Sequence, residues 1–267
     1  IGNILNILEQ SYQVPSASNM IHAKKWHTDA ADHTLAPIIL MHDSLGCVAL
    51  WRDFPAQLAQ ATARVVYAYD RLGFGLSDPS TQPLAHSFVI TEAEQTFKAV
   101  LDYFSIQDFV ILGHSVGGGM SVVIAAAYPE RCQGLISISA QYAVEALTLK
   151  GISEAKVGFQ QAGQMERLEK YHPEKAQWVL DGWTETWLSP IFQDWNLASV
   201  IDGVLCPTLV IHGELDEYGS TAQPQQIFEG VSGQAELHIL EGLHHMPHKE
   251  QPELVVALIA EFHQAHC

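Results

Sequence analysis

A serine between two glycines, in Gly113-His114-Ser115-Val116-Gly117, restricts the possible folds more than any other stretch of this chain. The apolar run 109–112 precedes it and is typical of a strand buried on both faces. The alanine-rich stretch 118–128 follows and predicts a buried helix, closed by Pro129. Ser115 therefore lies where a strand turns sharply into a helix. Glycines are needed two residues before and after it, because the two arms of such a turn almost touch.

Length and composition favour one globular α/β domain with an insertion. A chain of 267 residues can bury a large core. Its composition, with 48% hydrophobic and 16% charged residues, is typical of a folded protein. The net charge of −17 argues against a nucleic-acid partner, whose phosphates would be repelled. No run of 18 apolar residues is present, so we expect no membrane span.

The cysteines are scattered, at positions 47, 132, 206 and 267, without a close pair or a metal-like spacing. This distribution predicts free thiols and favours a cytoplasmic location. The chain starts at Ile1, so a removed signal peptide is left open.

Strand-like and helix-like stretches alternate along most of the chain. Strands are predicted at 21–26, 37–41, 64–69, 109–112, 134–139, 207–211 and 235–240, and helices at 51–61, 91–104, 118–128, 222–230 and 252–264. Residues 1–20 begin with a weakly helical pattern, Lys24 and Lys25 favour an edge position for the first strand, and Thr91 with Glu94 forms a capping-box pattern. The alternation predicts the α/β class, with a mainly parallel central sheet and flanking helices.

The alternation stops at about residue 140 and resumes at about residue 200. The stretch 141–199 is helical and aromatic, and contains Trp178, Trp183, Trp187 and Trp195. We interpret 1–140 together with 200–267 as the core domain and 141–199 as an inserted helical cap. Such a layer would cover the carboxyl ends of the strands, where α/β sheets bind their ligands.

A serine hydroxyl becomes an effective nucleophile when a histidine takes its proton and an acid orients that histidine. In a fold of this kind both follow the serine, on loops after later strands. The loop after 207–211 carries three acids and the loop after 235–240 carries three histidines: Glu214, Asp216, Glu217, His244, His245 and His248. The order of serine, acid and histidine predicts nucleophilic catalysis by Ser115.

Five stretches in the same order resemble the α/β-hydrolase superfamily along nearly the whole chain: 42–46, 70–77, 113–117, 212–216 and 245–252. Within it, the chain is most similar to small capped esterases and to the C–C bond hydrolases of aromatic-ring degradation. The resemblance implies that Ser115 is the nucleophile, Asp216 the acid and His245 the base. It also implies an oxyanion hole made by the backbone N–H groups of Ser44 and Val116.

The chain departs from the family pattern at two positions. His244 replaces the usual glycine and is a rival to His245 as the base, as Glu214 and Glu217 are to Asp216. Asp43 stands where the oxyanion loop usually has a glycine, and we expect its carboxylate to point away from the oxyanion. His248 and Asp70 are interpreted as structural.

The resemblance implies a serine hydrolase of the carboxylesterase type, acting without a cofactor on a small neutral, apolar or aromatic ester. We expect its pocket to be lined by His114, Leu45, Trp183, Trp187 and Met246. Alternatives left open are a C–C bond hydrolase, with Arg52 to hold an anionic substrate, and a ligand receptor or cofactor-free oxygenase of the same fold. A metal at the three histidines is the less favoured interpretation, and the oligomeric state is left open.

Overall fold

The computed structural model describes residues 6–267, in which eight strands form one sheet. The strands are β1 (Ile7–Ser16), β2 (Asn19–Thr28), β3 (Ile38–Met41), β4 (Val66–Tyr69), β5 (Phe109–His114), β6 (Cys132–Ile138), β7 (Thr208–Gly213) and β8 (Ala235–Leu240). Their order across the sheet is β1-β2-β4-β3-β5-β6-β7-β8. β2 pairs antiparallel with β1 and β4, and all other neighbours are parallel. The predicted α/β class with a mainly parallel sheet is confirmed.

The beginning of the described chain is a β-hairpin, so the helical interpretation of residues 1–20 is wrong there; residues 1–5 lie outside the described residues. β1 pairs with β2 along its full length, around a turn in which Ala17 has a φ of 51°. Because β2 also pairs with β4, β1 is the edge strand, and the edge position predicted for 21–26 is wrong. Val14 and Ile21, which face each other in this pairing, are fully buried. Their burial depends on tertiary contacts, which local sequence patterns do not show.

The helices cover both faces of the sheet. They are α1 (Phe54–Thr62), α2 (Phe88–Thr91), α3 (Thr96–Tyr103), α4 (Val116–Ala127), α5 (Ala146–Gly158), α6 (Gln164–Glu169), α7 (Ala176–Trp187), α8 (Ala222–Gly230), α9 (Pro247–Glu250) and α10 (Pro252–His266). Residues of α1 and α10 pack against one face, on Ile38 and Leu40 of β3. Residues of α3, α4 and α8 pack against the other, on Ile39 and Met41. Successive residues of β3 thus face opposite sides of the sheet, as strand geometry requires.

The helix predicted to begin at Thr91 is interrupted. α2 ends at Thr91, a 3₁₀ turn spans Glu92–Glu94, and α3 begins at Thr96, so the capping-box interpretation is wrong. Gln95 has the non-helical angles φ −105° and ψ −104°. The hydroxyl of Tyr69 donates a hydrogen bond to Glu92, 2.6 Å away, which gives this part of the chain a tertiary anchor instead.

Helices α5, α6 and α7 lie in the chain between β6 and β7. The ends of this insertion meet at an isolated antiparallel bridge between Ala143 and Asn196. Leu168, Val179 and Leu180 form a small separate core with Phe74 of the loop after β4. The division into a core of 1–140 with 200–267 and a cap of 141–199 stays a prediction, and this separate core is the observation that supports it. Across residues 6–267, no helix combines the length and apolar character that a membrane crossing requires.

Candidate active site

The turn between β5 and α4 places Ser115 in a conformation that side-chain-bearing residues rarely adopt. Its φ is 58° and its ψ is −124°, and such strain persists only where the surrounding structure imposes it. A Cβ at position 113 would overlap the carbonyl of residue 117, and a Cβ at position 117 would overlap the carbonyls of Met41 and His42. The two glycines are therefore required by close backbone contacts on both sides of the serine.

Three side chains from three loops meet at Ser115. Its Oγ lies 3.0 Å from Nε2 of His245, and Nδ1 of His245 lies 2.8 and 2.9 Å from the two carboxylate oxygens of Asp216. All three residues are buried, at 5–7% exposure. With the proton on Nδ1 donated to Asp216, Nε2 is free to accept the serine proton. The arrangement can remove a proton from Ser115 and hold the resulting imidazolium against a carboxylate.

The Asp216 carboxylate is held in its charged form. Burial by itself would raise its pKa, but the hydrogen bond and charge of His245, the nearby His212 and the backbone N–H of Tyr218 outweigh burial and lower the pKa. The rival acids face elsewhere: Glu217 accepts from the backbone N–H of His245, and Glu214 accepts from that of Gly242. Asp216 is therefore the carboxylate that contacts the imidazole.

The other two histidines of the loop do not point at Ser115. The His244 side chain is half exposed and lies 3.2 Å from Glu250. The His248 ring is buried and packs 5.4–5.5 Å from the rings of Trp51 and Phe54. Within residues 6–267, no three His, Cys, Asp or Glu side chains are placed to share a metal ion.

Asp70 lies in a separate hydrogen-bond arrangement in the loop after β4. Its carboxylate oxygens accept from the backbone N–H groups of Val48, at 2.6 Å, and Leu76, at 2.8 Å. Burial raises the pKa of Asp70 to about 6. The carboxylate joins two loops and does not contact His245.

The backbone N–H groups of Ser44 and Val116 have no protein acceptor among the described residues. Val116 is the first residue of α4, where backbone N–H groups are unpaired and the helix dipole favours negative charge. Ser44 lines the same cavity as Ser115. Asp43 also lines it, with its Oδ1 packed against Gly46; the direction of its carboxylate relative to an oxyanion stays a prediction.

A cavity of about 290 Å³ opens at Ser115. Its lining is mostly apolar and aromatic: Asp43, Ser44, Leu45, Leu50, Ser115, Gln141, Ile152, Ala155, Phe159, Trp183, Trp187, Tyr218, His245, Met246 and Lys249. Four of the five predicted pocket residues are in this set. The fifth, His114, is not: it is buried outside the cavity, and its Nε2 donates to the backbone carbonyl of His245 at 2.8 Å. The His114 ring instead packs against the rings of His245 and His248, with centres 4.9 and 4.5 Å away.

The arginine considered from the sequence as a site for an anionic substrate lies elsewhere. Arg52 donates to the hydroxyl of Tyr171 at 2.6 Å and does not line the cavity. Lys249 does line it. The argument from Arg52 for an anionic substrate is therefore not supported by this geometry.

Sequence reasoning missed Lys249 and two further polar residues of the cavity. Gln141 follows the carboxyl end of β6, and its Oε1 lies 3.3 Å from Ser115 Oγ. Tyr218 follows Asp216 by two residues, and its ring packs 4.8 Å from that of His245. The position of Gln141 after a parallel strand was a usable signal, because ligand sites lie at these strand ends.

Comparison with known proteins agrees with this architecture. A family model described as alpha/beta hydrolase fold matches residues 36–172, about half of the chain, and the chain belongs to this family. The human 1-acylglycerol-3-phosphate O-acyltransferase ABHD5 is 30% identical over 128 residues, covering 46% of this chain and 34% of that protein. This chain thus spans about a third of the length of that relative.

Solved structures show the same fold over almost the whole chain. Proline iminopeptidase from Mycobacterium smegmatis superposes with a TM-score of 0.78 at 20% identity, covering 96% of this chain and 98% of that one. Carboxylesterase CesB from Bacillus subtilis superposes with a TM-score of 0.70, also at 20% identity, covering 96% and 91%. At this identity the likeness establishes the fold, and the reaction has to be argued from the site.

Proposed function

We propose that this protein is a serine hydrolase that cleaves a carboxylic ester of a small, neutral, apolar or aromatic substrate. The observation that carries the proposal is the continuous contact from Ser115 through His245 to Asp216, at 3.0 and 2.8 Å, at the wall of a mostly apolar cavity. Membership of the alpha/beta hydrolase fold family supports a hydrolytic reaction.

In the proposed reaction, His245 accepts the proton of Ser115 as its Oγ attacks the ester carbonyl. The negative oxygen of the tetrahedral intermediate accepts hydrogen bonds from the backbone N–H groups of Ser44 and Val116. His245 then returns the proton to the leaving alcohol, and an acyl-enzyme forms on Ser115. Water, deprotonated by His245, attacks the acyl-enzyme and releases the acid.

The cavity supports the proposed class of substrate. Its volume of about 290 Å³ is at the small end of ligand pockets, which bury drug-sized molecules in roughly 300–1,000 Å³. Ile152 and Ala155 of α5, Phe159 directly after it and Trp183 of α7 supply apolar walls. These walls favour a short acyl chain or a single aromatic ring, held by burial of apolar surface.

Hydrolysis of p-nitrophenyl esters with two to eight acyl carbons tests this proposal. We expect turnover by the natural sequence and a loss of about 10⁴-fold or more in kcat for Ser115→Ala, since no other residue supplies the attacking oxygen. Ser87→Ala, at an exposed serine, is the matched control and should retain full activity. Equal rates for Ser115→Ala and Ser87→Ala would refute the assignment of the nucleophile.

The same experiment separates the alternatives. A C–C bond hydrolase would turn over vinylogous diketones faster than esters, with Ser115 still required. A ligand receptor or cofactor-free oxygenase of this fold would hydrolyse neither class of substrate.

A further inference from the structure

The backbone carbonyl of Asp43 accepts two hydrogen bonds from buried side chains. Nδ1 of His42 lies 2.8 Å from it, and Nη2 of Arg71 lies 3.1 Å from it. We infer that Arg71 and His42 are positioning residues that aim the Ser44 N–H at the oxyanion. This inference rests on the proposed hydrolase function and adds two residues to it that do not touch the substrate.

Peptide geometry connects the Asp43 carbonyl to the Ser44 amide. Both groups belong to one peptide unit, which is planar and trans, so its C=O and N–H point in opposite directions. The two side-chain donors, together with the backbone N–H of Gly46 at 3.2 Å, hold the carbonyl in place. The N–H of Ser44 is therefore fixed toward the other side of the loop, where Ser44 lines the cavity at Ser115.

The His42 ring can serve in only one protonation state. Its Nε2 lies 3.1 Å from the backbone N of Arg71, whose N–H donates to it. Nε2 is therefore unprotonated, and the proton of the neutral ring is on Nδ1, from which it is donated to Asp43. The backbone of Arg71 thus sets the tautomer of His42, and its side chain binds the same carbonyl.

The burial of Arg71 is costly. The residue is 3% exposed, and its Nε has no hydrogen-bond partner among the described residues. Its guanidinium stacks 4.1 Å from the ring centre of Phe74, and Glu92 is the acid whose charge acts most strongly on it. Buried charges and unpaired donors are destabilising, so a buried guanidinium that contacts the oxyanion loop is consistent with a functional role.

The guanidinium also strengthens the amide that it orients. A positive charge at the carbonyl oxygen polarises the peptide unit and makes its N–H a better donor, since linked hydrogen bonds reinforce one another. An amide held in place before the reaction needs no reorganisation when the oxyanion forms. Losing this alignment should therefore slow the chemical step and leave substrate binding nearly unchanged.

Arg71→Met tests the inference, because methionine fills similar space without charge or donor. We expect kcat per active site to fall about 10- to 100-fold, while KM changes less than about two-fold. This loss of kcat is smaller than the roughly 10²–10³-fold loss that follows removal of an oxyanion donor itself. The affinity for a trifluoromethyl ketone, which forms an oxyanion on Ser115, should fall by the same factor as kcat/KM. Arg71→Lys restores one donor and should recover part of both losses.

The number of active sites is measured by complete labelling of Ser115 with a fluorophosphonate, and the fold by thermal unfolding. A merely structural role of Arg71 would reduce the labelled fraction and the melting temperature but leave kcat per labelled site unchanged, and that result would overturn the inference. If the natural sequence itself neither labels nor turns over esters, the proposed function fails instead, and the two failures are distinguished.

His42 offers a second, independent comparison. The amide nitrogen of His42→Asn lies near the place of Nδ1 and can still donate to Asp43, whereas that of His42→Gln lies near Nε2 and cannot. We expect kcat per labelled site to be at least about five-fold higher for His42→Asn. Equal values for the two variants would contradict the proposed role of Nδ1.

Discussion

His114 makes the stability of this protein sensitive to acid. Complete burial, with a smaller contribution from the charge of His245, lowers the pKa of His114 from 6.5 to about 4. The unfolded chain therefore binds a proton on this ring between pH 6.5 and 4 that the folded chain does not bind. This contribution to stability is fully present above pH 6.5 and is lost as the pH falls toward 4.

The size of the effect follows from the two pKa values. With 6.5 for the unfolded and about 4 for the folded state, the linkage relation gives a loss of about 2 kcal/mol between pH 7 and pH 5. His114→Gln keeps a side-chain amide that can donate to the carbonyl of His245, but it does not titrate. We expect this variant to lose about 2 kcal/mol less than the natural sequence over the same interval.

Urea unfolding at pH 7 and pH 5 measures this difference, because the titrations of all other groups are common to both proteins and cancel. His86→Gln, at an exposed histidine, controls for the loss of a surface imidazole. If His114→Gln lost as much stability between the two pH values as the natural sequence, the account of His114 as a ring kept neutral by burial would be wrong.

Three further predictions concern the turn, the base and the cavity. Gly117→Ala should lower the free energy of unfolding, measured with urea, by at least about 3 kcal/mol, because its Cβ would overlap backbone carbonyls. At Gly158 a Cβ would meet nothing within 4 Å, so Gly158→Ala should be neutral or stabilise the protein by about 0.5–1 kcal/mol. His245→Ala should lower ester kcat about 10⁴-fold or more, and His244→Ala less than about three-fold, since His244 faces Glu250. Trp183→Ala should raise kcat/KM for eight-carbon relative to two-carbon acyl esters at least about three-fold, because it enlarges the cavity.

Each of these comparisons can fail in a specific way. Equal stabilities of the two glycine variants would mean that the turn relaxes around a methyl group. A large loss of activity in His244→Ala, with activity retained in His245→Ala, would exchange the roles of the two histidines. An unchanged chain-length preference in Trp183→Ala would place the acyl chain elsewhere.

The central part of the fold could be predicted from sequence because its strands carry their own signal. The runs 37–41, 109–112 and 207–211 are apolar apart from Thr208, as expected of strands buried on both faces. Each run overlaps an observed parallel strand. β1 carries no such run. Nine of its ten residues are partly or fully exposed, Val14 alone is buried, and pairing with β2 defines the strand. Its register depends on a neighbouring strand, which local patterns do not describe.

The candidate site was predictable to the extent that chain order determines it. Ser115, Asp216 and His245 follow three different strands, whose carboxyl ends meet at one edge of a parallel sheet. Contacts between loops were not predictable in this way. Neither the hydrogen bond from Arg71 to Asp43 nor that from Ser115 to Gln141 leaves a periodic pattern, because 28 and 26 residues separate the partners.

Covalent labelling by a fluorophosphonate, followed by intact mass and peptide mapping, tests the central claim most directly. The proton path from Ser115 through His245 to Asp216 predicts one adduct per chain, located on Ser115. Ser115→Ala should not label, and His245→Ala should label far more slowly. An unlabelled natural protein, or an adduct on any other residue, would contradict the account.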